Sequence, residues 1–166
     1  MKRLLLCLLF CLPALQTLYA TDIAVMVKQH TNHTRFDDRP YGKDDLSYGA
    51  FFEFFDGPAG WRLGAMYGSG LSGAAEADTV ITPEITLLLL DGLWEAGASV
   101  LIDYIDTNGD TGWSDHYYQF QLGLNLPFGK SMSVGAHTFY AFDRFGNLGD
   151  FRFGNLDYGV TFRLKF

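Results

Sequence analysis

The chain has 166 residues, of which 48% are hydrophobic, 16% aromatic and 19% charged, with 19 Gly, 15 Phe and 9 Tyr. That length fits one domain, and an aromatic-rich, weakly charged composition excludes disorder. A formal charge of −7 argues against a nucleic-acid partner, which calls for a basic face.

Residues 1–20 read as a cleaved secretory signal: Lys2 and Arg3 open it, an apolar stretch follows, and Leu18-Tyr19-Ala20 ends it on a small residue. The apolar stretch is too short to span a membrane as a helix. Cys7 and Cys11 both lie inside it, so the domain expected over 21–166 carries no thiol and no disulfide. Without Lys2 and Arg3, 10 basic residues face 19 acidic ones, a formal charge of −9.

Beyond the signal, apolar and polar residues alternate with the period of a strand. In chain order the strands are expected at 22–30, 47–55, 61–69, 79–90, 94–104, 117–126, 132–142 and 156–166. The last is the clearest. Leu156, Tyr158, Val160, Phe162, Leu164 and Phe166 share one face; Asp157, Gly159, Thr161, Arg163 and Lys165 share the other. A final alternating strand ending on Phe resembles the assembly signal of bacterial outer-membrane barrels. Short connections at 56–60, 91–93 and 128–130 carry turn residues, and longer polar ones at 31–46, 70–78, 106–114 and 144–154 lie between them. The expected fold is therefore all-β: an eight-stranded antiparallel transmembrane β-barrel with short periplasmic turns and longer extracellular loops. Trp61, Trp94, Tyr104, Trp113 and Tyr140 are placed to form interfacial girdles.

An eight-stranded barrel is too narrow for a water channel, so its inward residues discriminate between functions. Glu53, Arg62, Glu95, Asn125, Arg163 and Lys165 are expected to form a charged floor near the short turns. Above it, small and apolar inward residues suggest an acyl-chain pocket built from Gly49, Met66, Gly97, Leu101, Gly123 and Phe139. The competing explanation is that the glycines relieve crowding in a narrow barrel.

Candidate catalytic groups cluster at the outer ends of the early strands: His30 and His33 after the first, Ser69 and Ser72 after the third. A His in reach of a hydroxyl is the minimum for acyl transfer, with His as base. Strand parity places His30, rather than His33, on the inward face with Met26 and Lys28. His137 points inward at mid-height and reads as a core residue.

Three motifs then stand in order: His33-Thr34-Arg35-Phe36, Asp38-Arg39-Pro40-Tyr41-Gly42 and Gly64-Ala65-Met66-Tyr67. Together they resemble the corresponding region of PagP-type lipid A palmitoyltransferases, over about the first third of the exported chain. The resemblance implies an outer-membrane barrel with a hydrocarbon cavity, moving a palmitoyl chain from a phospholipid donor to lipid A of the lipopolysaccharide. It puts His33 at the family's essential histidine, with no metal and no cofactor. The family's adjacent Asp-Ser pair has no clean match here; Ser69 or Ser72 takes the Ser role. The family's N-terminal helix is also missing. The protein is thus expected to be a monomeric outer-membrane acyltransferase. A lipid A deacylase and a non-enzymatic OmpX- or OmpA-like barrel are the alternatives.

Overall fold

The computed structural model describes residues 20–31, 40–73 and 77–166. Most of the expected signal, residues 1–19, lies outside the described residues, as does the candidate His33.

Ten strands follow in chain order: β1 (Ala20–Gln29), β2 (Leu46–Asp56), β3 (Ala59–Ser69), β4 (Thr79–Asp91), β5 (Trp94–Leu101), β6 (Tyr104–Thr107), β7 (Asp110–Trp113), β8 (Tyr117–Phe128), β9 (Met132–Phe142) and β10 (Asp157–Lys165). Antiparallel pairing runs β3-β2-β1-β10-β9-β8-β5-β4, and β4 returns to β3. The sheet is closed, with β5 and β6 sharing one stave, so the wall is an eight-stranded antiparallel barrel. The seam joins the first strand to the last, from Asp22 opposite Lys165 to Gln29 opposite Tyr158.

The fifth stave breaks at Ile102 and Asp103, where unbroken alternation to Tyr104 is expected from sequence. The register puts Pro83 of β4 opposite this point. A proline has no N–H to give the ladder, so the pairing thins there and resumes with β6 against Thr79–Ile81. The segment expected as a plain loop at 106–114 instead forms the β6–β7 hairpin. Its turn is Asn108-Gly109, both at positive φ (50° and 94°), the backbone that a two-residue hairpin turn requires.

Burial alternates along most of the wall, β6 and the outer end of β9 excepted, and inverts the soluble pattern. Asp22, Lys28, Glu53, Arg62, Glu95, Gln119, Asp157 and Arg163 are buried inside, while Val25, Val27, Leu87, Leu89, Leu122, Val160 and Phe162 face out. An apolar exterior around a polar interior is what a lipid surround demands. Among the described residues no helix is long and apolar enough to cross a membrane. Trp61, Trp94 and Trp113 face outward and exposed, as the girdle requires, but Tyr140 is buried.

Candidate active site

The lumen fills in layers. At the short-turn end two arginines and two glutamates neutralise one another. Arg62 Nε donates to Glu53 Oε1 (2.7 Å), and its Nη2 to Glu95 Oε1 (3.1 Å). Arg163 Nη2 reaches Glu53 Oε1 (3.1 Å) and Glu95 Oε2 (2.9 Å), and Gln121 Nε2 donates to Glu95 Oε1 (2.8 Å). This is the charged floor expected from sequence, although Lys165 stays half-buried at its edge and Asn125 makes no part of the ion-pair network described here. His137 sits beside it, with Nδ1 3.8 Å from Glu95.

Above the floor, Ala24, Met26, Phe51, Met66 and Phe139 pack as one apolar cluster. At three of the expected pocket positions the missing side chain makes room for protein. A Cβ on Gly49 would stand 2.2 Å from Met66 Sδ and 2.5 Å from the Phe51 ring. One on Gly97 would meet Gln121 Cγ at 2.8 Å, and one on Gly123 would meet His137 Nδ1 at 2.4 Å. Leu101 packs separately, with Tyr117 and Ala141. Met66 and Phe139 thus share one packing group and Leu101 belongs to another, while a neighbouring atom stands close to where a Cβ would sit at Gly49, Gly97 and Gly123.

The upper half is mixed, where an apolar one is expected: Tyr41, Leu71, Ala77 and Val80 pack with Ile105, and polar groups run beside them. Lys28 Nζ donates across the lumen to Gln119 Oε1. The Thr86 and Ser99 hydroxyls serve Glu84. Tyr41 Oη lies 2.9 Å from Thr82 Oγ1, which donates to Asp103 Oδ1 (2.6 Å), and Tyr117 donates to the same oxygen (3.1 Å).

At the outer rim one group stands out chemically. His30 Nε2 lies within hydrogen-bond reach of Ser47 Oγ (2.8 Å), whereas His30 Nδ1 meets Asp157 Oδ2 at 3.2 Å as an ion-pair contact without hydrogen-bond geometry. Asp157 Oδ1 accepts from the Thr31 amide (2.8 Å), and Lys28 Nζ stands 3.4 Å from Oδ2. Three adjacent staves supply the parts. β1 lies between β2 and β10; Lys28 pairs with Ser47 on one side, and Gln29 with Tyr158 on the other. One step further along β1, His30 falls level with Asp157, and inward parity turns all three side chains to the lumen. Hydroxyl, imidazole and carboxylate in this sequence are the parts of a nucleophile, its base and the group that orients and charges the base.

Of the candidates expected from sequence, His30 is in this group. Ser69 ends β3 pointing outward and exposed. Ser72 is held elsewhere, its Oγ donating to Asp45 Oδ1 (2.9 Å) and its amide to Asp45 Oδ2 (2.8 Å). Ser47 and Asp157 are the residues that sequence reasoning passed over. Their signal was an inward hydroxyl and an inward carboxylate at the outer ends of the two strands flanking His30.

No family model and no curated protein matches the chain. Among solved structures, the crystal structure of Neisserial surface protein A is similar at a TM-score of 0.50 and 10% identity, over 89% of this chain and 95% of that one. That protein is an outer-membrane eight-stranded barrel, and at such identity the likeness concerns the fold alone. It supports an outer-membrane barrel here and does not single out the palmitoyltransferases.

Proposed function

We propose that the protein is an outer-membrane lipid acyltransferase whose nucleophile is Ser47. The observation that carries this reading is the Ser47–His30–Asp157 arrangement at the outer rim. His30 takes the Ser47 proton as Oγ attacks the ester carbonyl of a phospholipid donor, and Asp157 stabilises the resulting imidazolium. The ester bond breaks, His30 returns the proton to the leaving lyso-lipid, and the acyl group stays on Ser47. A lipid A hydroxyl, deprotonated by His30, then takes the acyl group and regenerates the serine. The lumen below is filled by Met66, Phe51 and Phe139, so the substrate's hydrocarbon remains in the membrane while its ester crosses the rim.

A non-enzymatic barrel is favoured by one observation: Ser47 is 0% exposed, beneath Tyr41 and within a polar lumen. Mass spectrometry of lipid A from cells with and without the protein, alongside Ser47→Ala and Asp157→Asn variants, tests both. A gained acyl chain lost in both variants supports acyl transfer. Loss of an acyl chain assigns water as acceptor, and an unchanged profile in outer-membrane-stressed cells favours the non-enzymatic barrel.

A further inference from the structure

The outer mouth of the barrel is covered by its own connections. Between β1 and β2, residues 41–45 form a strap, and the turn after β3, residues 70–73, meets it. Tyr41 reaches inward from the strap and lies on the imidazole of His30. Its ring packs with Leu71, Ala77 and Val80, with Ile105 against that group. Its hydroxyl is 2.9 Å from Thr82 Oγ1 on β4, three staves round the wall from β1.

One carboxylate fastens the strap. Asp45 Oδ2 accepts from the Gly42 amide within the strap (2.6 Å) and from the Ser72 amide in the facing turn (2.8 Å). Asp45 Oδ1 accepts from the Ser72 hydroxyl (2.9 Å). The fit is close: a Cβ on Gly42 would stand 2.7 Å from the Ser72 carbonyl carbon. The backbone beside the carboxylate is under strain. Asp44 stands at φ 69°, a left-handed conformation that is costly for a residue with a Cβ. It is held there through β1: its amide donates to His30 O (3.0 Å), and Gln29 Nε2 donates to its Oδ1 (3.0 Å). The His30 amide in turn donates to Asp45 O (2.8 Å), so the strap is tied to the backbone of His30 as well as to its ring.

We infer that Asp45 is the latch of a hinged cover, closed by these three hydrogen bonds to its carboxylate and opened when they are exchanged for water. Hydrogen bonds to an ion are the strong kind, but Asp45 is only half-buried, so water can compete for its oxygens. Loss of the carboxylate frees the facing turn and the strap together, and lets Asp44 leave its strained conformation. The latch then sets how often the lumen and the His30–Ser47 pair are open. As regulation of acyl transfer it rests on the reading proposed above; as control of entry it stands apart from any chemistry at Ser47.

The test reads entry alone. Ser47→Cys is introduced into the full chain, and the protein is reconstituted in phosphatidylcholine vesicles. Labelling by N-ethylmaleimide of the peptide carrying position 47 is timed by mass spectrometry. Adding Asp45→Ala should speed labelling by about tenfold or more, the scale of one hydrogen bond to a charged group. Asp45→Asn and Ser72→Ala, which each keep part of the clasp, should fall between it and the parent. Lys43→Gln, at an exposed strap residue outside the clasp, should label as the parent does. Heat-modifiability on gels confirms that each variant is folded. Equal rates in the parent, Asp45→Ala and Ser72→Ala overturn the latch, and so does an acceleration by Lys43→Gln as large as that by Asp45→Ala. Faster labelling of Asp45→Ala beside an unchanged lipid A profile keeps the cover and removes the enzymatic reading.

Discussion

The rings of His30 and Tyr41 stack at 3.8 Å between centroids and 11° between planes. Tyr41 therefore covers the imidazole that touches Ser47, and its hydroxyl is tied across the mouth to Thr82. A reagent bound for the His30–Ser47 pair from this side meets the ring first. Tyr41→Ala should raise the rate of fluorophosphonate labelling at Ser47 by up to about tenfold, the scale of one aromatic contact. Tyr41→Phe, which keeps the stack and loses the tie, should fall between. No labelling in any of the three proteins would count against a nucleophilic Ser47.

The floor should respond to charge removal much more than to charge replacement. Glu53 accepts from both Arg62 and Arg163, so Glu53→Ala leaves two buried cations short of an anion. Breaking one side of such a buried network costs about 3–5 kcal/mol. Urea titration of the protein in vesicles should show that loss, with Glu53→Gln less damaging because it keeps a carbonyl acceptor.

Two inward glycines separate backbone crowding from side-chain crowding. A Cβ at Gly123 meets the Ala136 carbonyl at 2.4 Å, which cannot yield without moving β9. A Cβ at Gly97 first meets Gln121 Cγ at 2.8 Å, a side-chain atom rather than backbone. Gly123→Ala should then destabilise by about 1–3 kcal/mol. Gly97→Ala should cost less, and midpoints measured in the same vesicles rank them.

Lipid contact on the wall is checked directly by charge. Leu122 faces outward on β8, 54% exposed. Leu122→Arg should destabilise by about 2–4 kcal/mol if the residue lies near the bilayer midplane. The same substitution at Trp113, on the hairpin beyond the wall, should cost little. Equal effects would contradict the membrane orientation.

The staves are readable from sequence because a wall with an apolar outside and a polar inside forces alternation, and the alternation expected over 156–166 appears as β10, Asp157–Lys165. The contents of the lumen were much less readable. Alternation says which residues point inward, but their partners across the barrel depend on the stagger of the staves. Lys28 meets Gln119 and Arg163 meets Glu53 only once that stagger is set. The upper half therefore looked apolar from Met66, Leu101 and Phe139, while Lys28, Thr82, Glu84 and Asp103 were the groups that furnished it. His30 was identified by parity. Ser47 and Asp157 were not, because their nearness to it follows from pairing between strands far apart in the chain. Tyr140 shows the opposite limit: its outward parity held, but tertiary cover removed it from the girdle.

The seam between β1 and β10 also imposes an order of events. His30 belongs to the first stave and Asp157 to the last, so the pair exists only when the earliest-made strand has found the latest-made one. A chain still in transit, or caught open during insertion, holds its imidazole without its carboxylate. On the acyl-transfer reading proposed above, the rim's reactivity would wait on closure of the cylinder, a delay set by topology alone.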